Sequence, residues 1–499
     1  MTQKVPEKTR HPAWPVAALI SIICMLWSVE LPRHLGFAIH NEQFLAPVLG
    51  MSIAVCFLFV RVNGSESARI PWYDIALAAL GFLTLFYVAF NYSRLLDSVS
   101  ERTVEHIVVS GITVLLVLEG LRRAVGWFMF SLIFIFIVYA LFAHMIPGDL
   151  QGRNVPLDHL FLYLGFDPSA VFGSPLNVAA TVVVLFIFMG RILFKAGGGE
   201  FFTNLAMATM GRTRGGSAKI AVSASAMFGS ISGSAVANVV TTGMITIPMM
   251  RRGGYTAVNA GAVESVASTG GQLTPPIMGA AAFLMAEFLE IPYAEIVIAA
   301  IVPAFLYYLA LFVQVDLIAA RDKLASVDEE VPRTRDVLRE GWHLLVPFVV
   351  LLYAIFELNL PPVEASLYSI LSIIVFGFFK PYRGQKLNLE NMASVLWETG
   401  FGTFRLILIV AAAGFVIGVL NITGLGFALT LFLVNLAGSN IFGILAISAV
   451  ICIILGMGMP TSGVYVLLAA LVASAIVESG VEPLAAHMFI LYFGMLSMV

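Results

Sequence analysis

The chain has 499 residues, 60% hydrophobic and only 11% charged, with a net charge of −3 and a mean hydropathy of +0.95. A soluble globular domain carries about 25% charged residues, so this composition excludes one. The near-neutral balance supplies no basic patch for nucleic acid, and Cys24, Cys56 and Cys452 sit singly in apolar runs without metal-site or disulfide spacing.

A membrane-spanning helix needs about 20 apolar residues. The charged start MTQKVPEKTR leads into an apolar stretch with no A-x-A-like cleavage site, which reads as a cytosolic tail before a first membrane helix. Spans are predicted over 14–30, 44–62, 72–91, 104–121 and 125–146. A loop, 147–176, carries Asp149, Arg153, Asp158 and Asp167, and spans resume at 177–195. Region 217–250 is long but interrupted by Gly and Ser. Apolar stretches continue at 257–289 and 293–318, the first broken by Gly270-Gly271 and Pro275-Pro276. After a charged linker, 321–340, come 342–358, 363–379, 402–421, an amphipathic stretch near 424–437, the broken region 440–478, and 484–499. The fold class is all-α, a polytopic membrane protein.

Lys and Arg near span ends set orientation. Lys4, Lys8 and Arg10 place the N-terminus in the cytoplasm, Arg61 and Arg69 the next cytosolic loop, and Arg122-Arg123 the one after; 147–176 then falls outside. Arg212, Arg214 and Lys219 precede the first broken region and Arg251-Arg252 follow it, so 217–250 enters and leaves from the cytosol as a re-entrant hairpin. Arg321, Lys323, Arg333, Arg335 and Arg339 make the linker cytosolic, and the chain returns there at Lys380, Arg383 and Lys386. The second broken region, flanked by Glu478 and Glu482, therefore enters from the opposite side. Span, amphipathic stretch and hairpin thus occur twice, as an inverted repeat. Gly229 aligns with Gly456, Gly233 with Pro460 and Ser234 with Thr461, all at an offset of 227.

A re-entrant tip leaves helix-end N–H and C=O groups without intrahelical partners. Helix N-termini attract anions, while free carbonyls and hydroxyls suit Na⁺. Ser230, Ser232, Ser234 and Asn238 can supply oxygens at the first tip; Thr461 and Ser462, with the carbonyls near Gly456–Met459, can do so at the second. Thr274-Pro275-Pro276 breaks the helix after the first hairpin, because proline donates no backbone hydrogen bond and frees nearby carbonyls. Gly229-x-x-x-Gly233 taken alone reads as close helix packing. Two hairpins, a TPP break and an inverted partner together read as a transporter's binding site.

GSISGSAVAN (229–238), STGGQLTPP (268–276) and GMGMPTSGVYV (456–466) resemble the large membrane subunit of tripartite ATP-independent periplasmic (TRAP) transporters. The resemblance covers the whole chain and is strongest over 177–290 and 400–499. Residues 1–146 resemble the small membrane subunit, fused in front as in the TAXI-type branch, in hydropathy and order only. The implied layout is a small-subunit-like scaffold 1–146, periplasmic loop 147–176, first repeat 177–320, cytosolic linker 321–340, connecting spans 341–400 and second repeat 401–499. The resemblance implies an elevator mechanism in the bacterial inner membrane. A body holding both hairpins slides against a scaffold, driven by an ion gradient, usually Na⁺. Substrates would be small organic acids delivered by a periplasmic binding protein, with no bound cofactor. By motif, the first ion site uses Ser230, Ser232 and Asn238 with the Gly270-Gly271 backbone, and the second draws on Gly458, Met459 and Thr461. Gly233, Ser234 and Pro460 belong to the two tips, and Thr274, Pro275 and Pro276 shape the pocket between them. The family has a second TPP-like break two residues beyond Val499 and more spans after it, so a truncated chain with an incomplete second site is expected.

Glu264, in the apolar stretch after the first hairpin, is a proton-coupling candidate that keeps H⁺ open beside Na⁺. Arg191, Asp316 and Arg405 lie near span ends and read as interfacial anchors. His106, His144 and His343 have no partners at metal spacing. An intramembrane enzyme would need a His or Asp paired with the Ser cluster, and a primary pump a G-x-x-x-x-G-K-[ST] loop; neither pattern occurs. Another paired-hairpin family, such as dicarboxylate/Na⁺ symporters, is the remaining alternative. The fused N-terminal spans and the acidic loop favour TRAP.

Overall fold

A computed structural model describes residues 11–66, 70–324, 326, 331–437 and 440–498. Lys4, Lys8, Arg10, Arg69 and Val499, with 325 and 327–330 of the linker, lie outside the described residues. Among the described residues the chain is helical, with isolated bridges and no strand, and nine helices are long and apolar enough to cross a membrane.

The first five predicted spans form as α1 (Ala13–Ser28), α2 (Asn41–Phe59), α3 (Trp72–Asp97), α4 (Val104–Ala124) and α5 (Trp127–Phe142). The stretch 147–176 is not an open loop, since it contains α6 (Leu157–Phe166) with Leu160 and Leu164 buried. Gly165 of α6 packs so closely on α4 that a Cβ there would lie 2.5 Å from the Ser110 carbonyl oxygen. Its apolar run is too short to register as a span.

α7 (Ser174–Lys195) carries a π-turn over Ala179–Val183 and ends at Gly197, whose φ of +102° turns the chain into α8 (Gly198–Met210). The first hairpin is α9 (Gly216–Ser232) and α10 (Ala235–Arg252). α11 (Ala257–Gly270) and α12 (Ala280–Leu289) flank the TPP break, and α13 (Tyr293–Arg321) follows. The linker is helical earlier than expected: α14 (Thr334–Leu344) meets α15 (Val346–Phe356) at 58°, with Pro347 in the first turn of α15, where its missing N–H is harmless. Then come α16 (Pro362–Phe379) and α17 (Leu389–Thr423), a 35-residue helix that starts well before the predicted 402 because Asn388 caps it, accepting the Asn391 N–H at 2.7 Å. α18 (Leu425–Leu436), the second hairpin α19 (Ile441–Gly456) and α20 (Thr461–Glu478), and α21 (Pro483–Leu496) complete the described order.

Gly424, at φ +77°, opens α18 as Gly197 opens α8, and these two glycines are again 227 positions apart. Left-handed backbone favours glycine, so the repeat extends from matched residues to matched torsions.

α17 runs through the middle of the main core, and small residues let other helices touch it. A Cβ on Gly414 would lie 2.3 Å from the Ala170 carbonyl oxygen, and one on Gly400 would lie 1.9 Å from that of Ala17. Trp14 stacks on Trp397 at 4.5 Å, and Arg405 pairs with Glu66 at 2.8 Å, so the N-terminal helices are fastened to α17. The other span-end charges are paired as well: Glu398 takes Lys195 at 2.9 Å and Arg191 at 3.6 Å, and Asp316 takes Lys219 at 2.7 Å and Arg214. Hairpin α9–α10, α11 and α13 enclose a separate core that includes Val222, Met250, Val263, Ala267, Leu311 and Val315.

Candidate ion and substrate site

At the first tip, two glycines replace side-chain packing by backbone contact. A Cβ on Gly229 would lie 2.5 Å from the Cα of Gly271 and 2.7 Å from Asn238 Nδ2; one on Gly271 would lie 2.4 Å from the Cα of Gly229. α9 ends at Gly233, φ +59°, whose added Cβ would meet the Met278 carbonyl oxygen at 2.5 Å. Ser234 caps α10, accepting the Ala237 N–H at 3.3 Å. Ser230 donates to the Met227 carbonyl at 2.9 Å, and the fully buried Asn238 donates its amide to the Ser225 carbonyl at 2.8 Å. The Ser232 hydroxyl is buried with no hydrogen-bond partner. Ser230, Ser232 and Asn238 thus share one tip without hydrogen bonding to one another.

Past Gly270 the helix tightens into a 3₁₀ turn, Gly271–Leu273, and Thr274 donates to the Gly270 carbonyl at 2.8 Å. Pro275-Pro276 is a cis peptide. The hydroxyl of Tyr293 lies 2.6 Å from the Ile277 carbonyl oxygen and 3.0 Å from that of Pro276, so it occupies acceptors which the break exposes.

The second tip is built likewise. A Cβ on Gly456 would lie 2.2 Å from the Gly494 carbonyl oxygen, and one on Gly458 would lie 2.5 Å from the Phe128 ring. Met459 is buried, Pro460 is extended, and Thr461 opens α20. Thr461 Oγ1 donates to Gln272 Oε1 at 2.6 Å, so the second tip hydrogen-bonds directly to the turn beside the first. Gln272 joins the candidate residues although motif reading missed it, and it stands between Gly271 and Thr274. Tyr465, 227 positions after Asn238, pairs with His487 at 2.7 Å. Thr461→Val keeps the side-chain shape and is expected to lower stability by about 1 kcal/mol. Thermal unfolding in detergent measures this, and in a Gln272→Ala background the Thr461→Val effect should vanish.

Below the first tip sits Glu264, 0% exposed, whose carboxylate meets the hydroxyls of Ser225, Thr242, Thr246 and Ser268. The Thr242/Thr246 and Glu264/Ser268 pairs have i, i+4 spacing, the signal by which this cluster could have been read.

A family model described as "Tripartite ATP-independent periplasmic transporter, DctM component" matches residues 112–499. The chain is 27% identical over 307 residues to the C4-dicarboxylate TRAP transporter large permease protein DctM of Pseudomonas aeruginosa, covering 60% of this chain and 70% of that one. It is 26% identical over 275 residues to the ectoine/5-hydroxyectoine TRAP transporter large permease protein UehC of Ruegeria pomeroyi, covering 54% and 59%. It is 24% identical over 237 residues to the sialic acid TRAP transporter large permease protein SiaM of Vibrio cholerae, covering 47% and 54%. Among solved structures, the YdaH transporter of Alcanivorax borkumensis superposes with a TM-score of 0.51 at 14% identity, covering 75% of this chain and 88% of that one, a likeness of fold alone.

Proposed function

Because the chain belongs to the DctM component family of tripartite ATP-independent periplasmic transporters, a family of permeases and not of enzymes, we propose that it couples uptake of a small organic acid to an ion gradient through its two hairpin tips. The observation that carries this reading is the Thr461–Gln272 hydrogen bond, which joins the second glycine-built tip to the turn packed beside the first. C4-dicarboxylate and sialic acid, named for two relatives, both carry carboxylates. The N-termini of α10 and α20, at Ser234 and Thr461, offer free N–H groups to such an anion.

Na⁺ is the proposed coupling ion. At the first tip Ser232 supplies an unpartnered oxygen on the same turn of chain as Ser230 and Asn238, where Gly271 packs against Gly229, and hydroxyl, amide and backbone oxygens of this kind suit Na⁺. Gly458, Met459 and Thr461 would hold the second ion. In this reading the chain lies in the bacterial inner membrane with its N-terminus cytoplasmic, moves as an elevator with 1–146 in the scaffold, and receives substrate from a periplasmic binding protein.

The test is uptake of C4-dicarboxylates and sialic acid by reconstituted protein under an imposed Na⁺ or H⁺ gradient, with and without a candidate binding protein. Uptake that ignores both gradients and follows ATP overturns the reading. Ser232→Ala is expected to raise the half-saturating Na⁺ concentration roughly tenfold, the effect of losing about 1.4 kcal/mol of binding. Unchanged Na⁺ dependence removes the first tip from the ion site.

A further inference from the structure

We infer that Glu264 and its four hydroxyl partners form a proton-binding site attached to the first hairpin. Its use in transport rests on the function proposed above; the site itself does not. No lysine or arginine among the described residues lies within ion-pair distance of Glu264, so this carboxyl is buried without a countercharge. Oε1 lies 2.5 Å from Thr242 Oγ1, 3.0 Å from Ser225 Oγ and 3.2 Å from Ser268 Oγ; Oε2 lies 2.5 Å from Thr246 Oγ1. The donors come from α9, α10 and α11 together.

Each hydroxyl has one hydrogen to give, and all four can give it to an ionised Glu264. When a proton binds Oε2, it is donated to Thr246 Oγ1. The Thr246 hydroxyl then turns its own hydrogen to the Thr242 carbonyl, 3.0 Å away. Both charge states are therefore fully hydrogen-bonded without movement of heavy atoms.

The second repeat shows that packing does not require this cluster. The positions 227 residues on from Ser225, Thr242, Thr246, Glu264 and Ser268 are Cys452, Ala469, Ala473, Leu491 and Met495. α21 packs against the second hairpin through apolar groups where α11 uses a carboxylate.

Among the described residues, no titratable group of the neighbouring elements hydrogen-bonds or ion-pairs with Glu264. On α13, Tyr308 faces Glu264 and donates to the Ala267 carbonyl at 2.9 Å, Tyr307 donates to the Val266 carbonyl at 2.7 Å, and Asp316 holds Arg214 and Lys219 of the hairpin's base. Arg251 and Arg252 end α10, and Tyr255 hydrogen-bonds the Gly215 carbonyl. Thr242 Oγ1 also lies 2.9 Å from the Asn238 carbonyl oxygen, the acceptor open to its hydrogen when it is not given to Glu264.

The experiment is an infrared pH titration of the full-length protein in proteoliposomes, following the carbonyl stretch of protonated carboxyls. Wild type should gain this band on acidification. Glu264→Gln should gain it less, by about one carboxyl, with proton uptake lower by about one per chain. Thr246→Val, which keeps the carboxyl and a near-native shape, should keep the band and move its midpoint pH. Equal titrations in wild type and Glu264→Gln overturn the site. This readout needs no substrate, so a failed uptake assay leaves it standing.

Discussion

Alanine at Gly271 is expected to cut uptake roughly tenfold or more and to cost about 1–3 kcal/mol of stability. The added methyl would sit 2.4 Å from the Cα of Gly229. Backbone lies on both sides of the contact, so no side chain can swing away and the first hairpin must shift as a body. That shift separates Ser232 and Asn238 from the Thr274 break, the elements which the proposed site needs together. Gly229→Ala should behave alike, since its Cβ meets Gly271 at 2.5 Å. Gly261→Ala, on the same α11 but with nothing within 4 Å of its Cβ, is the control, and should stabilise by about 0.5–1 kcal/mol through helix propensity. Thermal unfolding in detergent and uptake in proteoliposomes measure both effects; a Gly271→Ala protein matching wild type in both would refute the backbone contact.

The second large effect belongs to the contact between α1 and α17. Gly400→Ala would put a methyl 1.9 Å from the Ala17 carbonyl oxygen and 2.8 Å from its Cα, so α1 must leave α17. The Trp14–Trp397 stack and the 2.8 Å bond from Ser21 to the Leu396 carbonyl would open with it. A loss of about 3 kcal/mol is expected, the upper end for overpacking. Cys24 of α1, now fully buried, gives an independent readout: a membrane-permeant thiol reagent should label it far faster in the variant. Gly111→Ala, whose Cβ meets nothing, should leave labelling unchanged.

The helix breaks were legible because they are local. Gly233 ends α9, Gly270-Gly271 ends α11, and Gly456–Thr461 joins the arms of the second hairpin, each where small residues and prolines interrupt an apolar run. The offset of 227 also needed only the chain itself. α6 escaped because a ten-residue helix is too short to stand out as a span, and α14 because its charges resemble a linker. The Thr461–Gln272 bond joins residues 189 apart in sequence, and neither residue carries a local sign of the other. Glu264 was visible as a lone charge, but three of its four partners lie on other helices, so its environment emerges only from packing.

The two left-handed glycines also set a mechanical scale. α8 has 13 residues and is therefore about 20 Å long, and it departs from α7 through a single torsional elbow at Gly197. Rotation by about 10° at that elbow sweeps the far end of α8 through about 3.5 Å, with every hydrogen bond inside the arm kept. Gly424 gives α18 the same leverage in the other repeat. Each hairpin thus follows an arm whose departure from the preceding helix is set at one left-handed glycine, with the helix on either side unbroken.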